Sequence, residues 1–121
     1  MTSKTLTIRV QREPAHVIVT VAGEIDISTA DRLRERLFDL AAGDRPVVAD
    51  LDQVSLADAT GLGVLVGAAR RAAAHPTSLH VVCAQPQTLR LLRLAGLDRQ
   101  IPVARTVDEA LMRHGADPGT T

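Results

Sequence analysis

The segment 54–67 constrains the fold more than any other part of the chain. It ends a strand, begins a helix at Asp58 and continues as a helix of small and apolar residues. We expect this helix to be buried almost all round. Asp58 is a good N-cap because its carboxylate can accept hydrogen bonds from unpaired amides at the positive end of the helix dipole. The segment therefore predicts an accessible helix start on a rigid, buried body.

The composition indicates one domain and disfavours two classes of partner. The chain has 121 residues, of which 45% are hydrophobic and 23% charged, and 14 Lys and Arg balance 14 Asp and Glu. A formal net charge of zero provides no field that attracts nucleic acid or an anionic membrane. One Phe without Tyr or Trp also leaves no stacking platform for single-stranded nucleic acid. We expect no nucleic-acid partner and no membrane insertion.

Cysteine usage and the first residues indicate a cytoplasmic location. The single Cys83 cannot form an internal disulfide, and residues 1–5 run into an alternating segment rather than an apolar signal sequence. We expect one domain over residues 1–121, with an ordered core from about 5 to 114 and a frayed tail over 116–121.

Alternating and helical periodicities predict the element order ββαβαβαβα. The predicted strands are 6–10, 16–22, 46–51, 78–83 and 101–103, and the predicted helices are 28–42, 58–75, 86–95 and 106–114. Gly23 breaks the second strand, and Ser28 with Asp31 forms a capping box that opens the first helix. The fold class is therefore α/β: a single domain with a mixed β-sheet, in which an antiparallel hairpin precedes parallel strands, covered by about four helices.

Helical periodicity also predicts which side chains face the core. The buried faces are Ala30, Leu33, Leu37, Leu40 and Ala41 on the first helix and Leu89, Leu91, Leu92 and Leu94 on the third. Thr106 with Glu109 caps the last helix. Gly63 and Gly67 each cost about 1 kcal/mol in helix propensity relative to alanine. We expect both glycines to let the second helix pack closely against the sheet.

Familiar catalytic and metal-binding motifs are missing from the sequence. Gly61-Leu62-Gly63 is not followed by the Gly-Lys-Ser/Thr of phosphate-binding loops or by a third glycine at dinucleotide spacing. Cys83 ends an apolar strand, where a thiol behaves as a small buried hydrophobe. The four histidines lack the spacing of zinc ligands: His16, His75, His80 and His114. We expect no cofactor, no metal, no catalytic residue and no enzymatic activity.

Two carboxylates lie where strands give way to helices. Asp26 and Asp58 each precede a helix, so both can gather at the end of the sheet where open α/β folds place their sites. The alternative is that each carboxylate only caps its own helix or turn.

Three segments in this order resemble STAS domains of the anti-sigma factor antagonist family. They are 23–26 with the helix after it, 58–67 and 91–97, and the resemblance extends over residues 6–114. It implies a bacterial protein that binds an anti-sigma factor of the serine/threonine kinase type and thereby releases a sigma factor. Phosphorylation by that kinase would end the binding, and a protein phosphatase would reset the switch.

The resemblance also implies a partner-binding site, with one departure from the family pattern. The implied partner-binding residues are Glu24, Asp26, Ile27, Ser28, Asp58, Ala59, Thr60 and Leu62. The usual phosphoacceptor of the family directly follows the motif's Asp and is commonly Ser, but this chain has Ala59 there, which has no hydroxyl. Thr60 is the nearest candidate for phosphorylation. Its side chain either receives the phosphoryl group or turns inward to a backbone group near the helix start.

Two alternatives keep the elements but change the function. A STAS domain can serve as a regulatory module, acting in trans on a sensory complex or a transporter. A phosphoryl-accepting receiver-like domain would use Asp50 at the end of a buried strand. That alternative needs an acidic pair after the first strand to hold Mg²⁺, and residues 6–11 supply none.

Overall fold

A five-stranded mixed sheet organises the computed structural model, which describes residues 6–56 and 59–115. The elements are β1 (Leu6–Arg12), β2 (Val17–Ile25), α1 (Ala30–Ala41), β3 (Val47–Leu56), α2 (Thr60–Ala73), β4 (Leu79–Val82), α3 (Pro86–Leu94), β5 (Val103–Ala104) and α4 (Val107–Gly115). The strands lie in the order β1-β2-β3-β4-β5, antiparallel between β1 and β2 and parallel elsewhere. The predicted element order and fold class are confirmed. Asp58 and the tail 116–121 lie outside the described residues.

The two faces of the sheet are covered by different helices. On one face Val19, Ala49 and Val81 are adjacent in register and fully or nearly fully buried, and they join side chains of α1 and α2 in the main core. On the opposite face Val48 and Val82 pack with α4 in a second, smaller cluster. This layered burial of aliphatic side chains is the main force that holds the helices on the sheet.

The two central strands are longer than the sequence pattern indicates. Gly23 does not end β2: it adopts a φ of 118°, a conformation that glycine tolerates, and the strand continues to Ile25. The strand predicted over 46–51 continues to Leu56 as β3. Between the pairs Thr20–Asp50 and Ala22–Gln53, β3 has one residue more than β2, which is a β-bulge. Because of this bulge, β3 continues through polar residues for which the sequence predicts a loop.

The helices agree with the predicted faces only in part. All five predicted apolar residues of α1 are buried. The prediction that α2 is buried almost all round is wrong, because its buried residues form one face: Gly61, Val64, Leu65, Ala68 and Ala72. On α3 the predicted apolar side is also too wide, since Leu92 is buried whereas Leu94 is 78% exposed. Leu94 is the last residue of this short helix. It continues the apolar spacing of the sequence, but its side chain stays exposed.

The starts of α3 and α4 agree with the sequence prediction, whereas the position of β5 does not. Pro86 is at the first turn of α3, and the Thr106 hydroxyl accepts the Glu109 N–H at 3.0 Å, so both predicted helix starts are confirmed. The last strand is two residues later than predicted, over Val103–Ala104, because Ile101 is buried in the main core instead of pairing in the sheet.

The two glycines of α2 have different surroundings. A Cβ added at Gly67 would lie 2.7 Å from the Phe38 ring of α1, so the close approach there is between two helices. A Cβ added at Gly63 would meet nothing within 4 Å. The expected packing of both glycines against the sheet is therefore wrong. Arg71 of α2 also contacts Phe38. Its guanidinium lies 6.0 Å from the centroid of the Phe38 ring and donates a hydrogen bond to the Phe38 backbone carbonyl.

Gly63→Ala and Gly67→Ala form a matched pair of substitutions. We expect Gly63→Ala to raise the free energy of unfolding by about 0.5–1 kcal/mol, because alanine favours the helix and its methyl group meets no atom. Gly67→Ala gains the same propensity but must displace Phe38, at an overpacking cost of about 1–3 kcal/mol. It should therefore lower stability. Urea denaturation followed by circular dichroism measures both, and equal stabilisation by the two substitutions would contradict the contact with Phe38.

Candidate functional site

Asp26 organises the turn between β2 and α1. Its carboxylate accepts the Ser28 N–H at 2.8 Å, the Ser28 hydroxyl at 2.6 Å and the Thr29 N–H at 3.1 Å. Asp26 is only 5% exposed, so these bonds to a carboxylate are made largely out of water, where they are strong. The same residue accepts the Ala30 N–H through its backbone carbonyl, at 2.9 Å. Asp26 therefore satisfies the amides that open α1.

Thr29 closes the turn from the other side. Its hydroxyl accepts the Asp26 N–H at 3.0 Å and donates to the Glu24 carbonyl at 2.9 Å. The predicted capping box of Ser28 and Asp31 is therefore wrong: α1 begins at Ala30 after Thr29, and Ser28 is a donor to Asp26. A buried carboxylate two residues upstream outcompetes the serine hydroxyl, because it can accept several bonds at once.

The turn presents a large apolar side chain to solvent. Ile27 lies between Asp26 and Ser28 and is 80% exposed, while Asp26 and Thr29 on either side of the turn are buried. The backbone at Ile27 is thus held by hydrogen bonds of its neighbours rather than by packing of its own side chain. The turn therefore holds an exposed apolar side chain in a position that is fixed before any contact with a partner.

The start of α2 combines a small exposed residue with half-buried neighbours. Ala59 occupies the N-cap position, is exposed and has no side chain that could cap the helix. Thr60 is the first residue of the helix and, like Leu62, is half-buried. Because α2 begins at Thr60 with Ala59 as its N-cap, the prediction that Asp58 is the N-cap residue is wrong, and Asp58 itself lies outside the described residues.

The parallel pairing of β2 and β3 brings these two segments to one edge of the sheet. Glu24 pairs with Ser55 and Ile25 pairs with Leu56, so the two strands end side by side. The turn 26–29 follows one strand and the start of α2 follows the other. The described residues of both segments therefore lie at neighbouring strand ends, at the edge where open α/β folds place their sites, whereas Asp58 lies outside the described residues.

Asp50 has a different position from the one a receiver-like domain requires. It lies within β3, six residues before the strand's end at Leu56, and its carboxylate accepts the Asp52 N–H at 3.1 Å. Asp52 in turn accepts the Ala84 N–H at 2.7 Å, and its backbone carbonyl accepts the Gln85 side-chain amide. The expectation that Asp50 ends a strand is wrong. The contacts of Asp52 tie β3 to the segment before α3, a structural role that no sequence pattern indicates.

Cys83 is buried at the end of β4 and has no nucleophilic character. Burial raises the pKa of its thiol, a hydrogen bond with the Gln85 backbone opposes this, and the carboxylates of Asp52 and Asp50 raise the pKa further. A protonated, inaccessible thiol is unreactive. Within residues 6–56 and 59–115, no group of three or more His, Cys, Asp or Glu side chains is arranged to hold a metal ion.

Comparison with known proteins identifies similar chains. The sequence model described as the STAS domain matches residues 7–110. The anti-sigma-B factor antagonist of Listeria monocytogenes is 33% identical over 100 residues, which cover 82% of this chain and 88% of that protein. The protein of the same name from Bacillus subtilis is 32% identical over 99 residues, with 82% and 91% covered. The crystal structure of an anti-sigma factor antagonist from Mycobacterium paratuberculosis has 31% identity and a TM-score of 0.81, covering 90% of this chain and 93% of that one.

These matches and the mixed five-stranded sheet define the class of protein as a bacterial-type STAS fold. The chain belongs to the STAS domain family, and the resemblance that its three sequence segments carry is confirmed. Among the described helices, none has both the length and the apolar character that a membrane crossing requires.

Asp26→Ala tests whether the carboxylate holds the turn together. We expect the free energy of unfolding to fall by about 2 kcal/mol, since the amides of Ser28 and Thr29 lose a buried acceptor. Asp31→Ala is the control, because Asp31 also lies at the start of α1 but forms only an exposed ion pair with Arg34, and its loss should cost less than about 1 kcal/mol. Chemical denaturation measures both free energies of unfolding. Equal decreases for the two variants would contradict the role of the Asp26 carboxylate in holding the turn.

Proposed function

We propose that this protein is an anti-sigma factor antagonist. It is a binding module without enzymatic activity that docks on an anti-sigma factor of the serine/threonine kinase type and thereby frees a sigma factor. The relatives named as anti-sigma-B factor antagonists support this assignment, because they match over most of their length. The observation that carries it is the exposed Ile27, fixed on the Asp26 turn beside the start of α2.

The turn is suited to binding because little of it has to be ordered on contact. The hydrogen bonds from Ser28 and Thr29 to Asp26 exist before a partner arrives, so docking loses less conformational entropy than docking of a loose loop. Covering the Ile27 side chain would contribute about 1.5–3 kcal/mol, the range for full burial of an aliphatic side chain. Ile27 therefore acts as the apolar anchor of the proposed interface, next to the exposed Ser28.

The proposed partner also has to recognise this surface locally. The formal net charge of zero gives no long-range attraction, so the association depends on the side chains at the edge itself. Ile27 and Ser28, both exposed on the turn, offer a partner an apolar side chain and a hydroxyl.

Phosphorylation is the part of the switch in which this chain differs from its family. Ala59 has no hydroxyl, and Thr60, the next residue, is half-buried and about 100° further around the helix. A kinase site shaped for residue 59 would not reach Thr60 without rearrangement. We propose that the antagonist stays in its binding-competent form unless Thr60 is modified.

A phosphoryl group at this edge would act on the interface more than on the fold. It would add about −1.5 to −2 charges at the start of α2, where the positive end of the helix dipole stabilises an anion. The same charge would add to the carboxylates of Asp26 and Asp58 and repel a docked acidic or closely fitted surface. Release would then need no change in the shape of the domain.

Ile27→Asp tests the proposed interface. Titration calorimetry against the anti-sigma kinase encoded in the same genome should show binding by the unmodified protein and at least a roughly tenfold weaker affinity for the variant. Met112→Asp on α4 is the matched control, since Met112 is 75% exposed but lies on an element that covers the opposite face of the sheet, and its affinity should be unchanged.

Two outcomes would overturn the proposed interface or the proposed partner. Unchanged affinity of Ile27→Asp would remove the turn from the interface. Failure to bind any anti-sigma kinase of that genome, together with a stable complex with a transporter or a sensory assembly, would favour the alternative of a regulatory module that acts in trans.

Ala59→Ser tests the missing acceptor. After incubation with the kinase and ATP, intact-mass spectrometry should find no phosphate on the wild-type protein. It should find one phosphoryl group on the Ala59→Ser variant, because the substitution restores a hydroxyl at the usual family position. The control is Thr60→Ala in both backgrounds, which should change neither result. If the wild-type protein instead carries a single phosphate that is absent from Thr60→Ala, Thr60 is the acceptor. The proposal that the antagonist stays in its binding-competent form is then rejected.

A further inference from the structure

A second concave surface lies between α3, β5 and α4, away from the turn 26–29 and the start of α2. It is a cleft of about 310 Å³, at the low end of the range for small-molecule sites. Its accessible apolar part is formed by Leu89, Pro102 and Val103, which lie above the fully buried Cys83 and Leu92. Cys83 directly follows β4, and Arg105 on the rim directly follows β5, so the cleft opens at the carboxyl end of two parallel strands. Ligand sites of open α/β sheets occur at such ends.

Three arginines line the rim of this cleft, and two of them have no acidic partner. Arg113 is occupied: it donates to the Val103 carbonyl at 3.1 Å and pairs with Glu109 at 3.3 Å. Among the described residues, neither Arg93 nor Arg105 has a carboxylate oxygen within 4.0 Å, although Asp98 also lines the cleft. The rim therefore presents two guanidinium groups whose charge is not neutralised by an ion pair.

We propose that this cleft binds a small organic anion that carries a short apolar chain. The guanidinium groups of Arg93 and Arg105 would bind the anionic head, which suits their geometry whether it is a carboxylate or a phosphate monoester. The partly exposed side chains of Leu89 and Val103 would cover the chain, and the small volume of the cleft limits its length. This binding is independent of the docking proposed for the anti-sigma kinase, since the two surfaces share no residue.

The test uses octanoate, octyl phosphate and octanol as probes, with binding followed by the backbone amide signals of the intact protein in NMR titrations. We expect saturable shifts concentrated at Leu89, Arg93, Val103 and Arg105 with octanoate, octyl phosphate or both. Comparison of the two anions identifies the preferred head group. Octanol, which has the same chain without a charge, should bind at least about fivefold more weakly, as expected for the loss of one charge-assisted hydrogen bond near solvent.

Arg105→Gln and Arg70→Gln separate a specific site from general attraction. Arg70 is an exposed arginine of α2 that does not line the cleft. Arg105→Gln should weaken binding of the anion about fivefold, whereas Arg70→Gln should leave it unchanged. Thermal unfolding of both variants without probe checks that they are folded.

The proposal is overturned by any of three results. These are the absence of binding by both anions, equal binding of octanol, and equal effects of the Arg105 and Arg70 substitutions. None of them bears on docking of the anti-sigma kinase, which is measured with a different partner and a different variant.

Discussion

The parallel pairing of β2 with β3 is the constraint on which the rest of the structure depends. It runs from Val17 opposite Val47 to Ile25 opposite Leu56, so the two central strands end together. Both segments of the candidate site follow these ends. A slip of one residue would turn the core side chains of one strand toward the other face, so burial of residues such as Val19 and Ala49 fixes the register. The geometry of the edge is thus a consequence of core packing.

The β-bulge makes this long pairing compatible with a buried core. The extra residue in β3 allows Leu51 and Val54, three positions apart, both to join the main core. Simple alternation would have placed them on opposite faces. The bulge also leaves Asp50 and Asp52 within the strand, where they accept backbone amides instead of ending it. The continuous apolar run 46–51 predicts a strand that ends before Asp52, and such a run cannot indicate a bulge through which β3 continues to Leu56.

The sequence was most informative where a local rule and burial agree. Residues close in sequence determine three features that the structure contains. These are the apolar face of α1, the proline that begins α3 and the Thr106 cap of α4. It was least informative where a choice depends on distant residues. Gly67 faces Phe38 of another helix, and Leu94 has no neighbour to cover it. At the site, sequence and resemblance named residues of the turn, but they did not indicate the hydrogen-bond network that makes Asp26 its centre, because that network depends on burial.

The position of Ala59 explains how the proposed docking and the proposed switch can be separated. The hydrogen bonds that shape the turn connect Glu24, Asp26, Ser28 and Thr29, all within one continuous segment of chain. Ala59 is exposed at the start of α2 and contributes no side-chain hydrogen bond there. Replacing a serine by alanine at such a position removes a hydroxyl without leaving a buried group unsatisfied, so the fold has little reason to resist the change. Under the proposed function, the chain can therefore lose its usual acceptor while the surface that carries Ile27 stays intact.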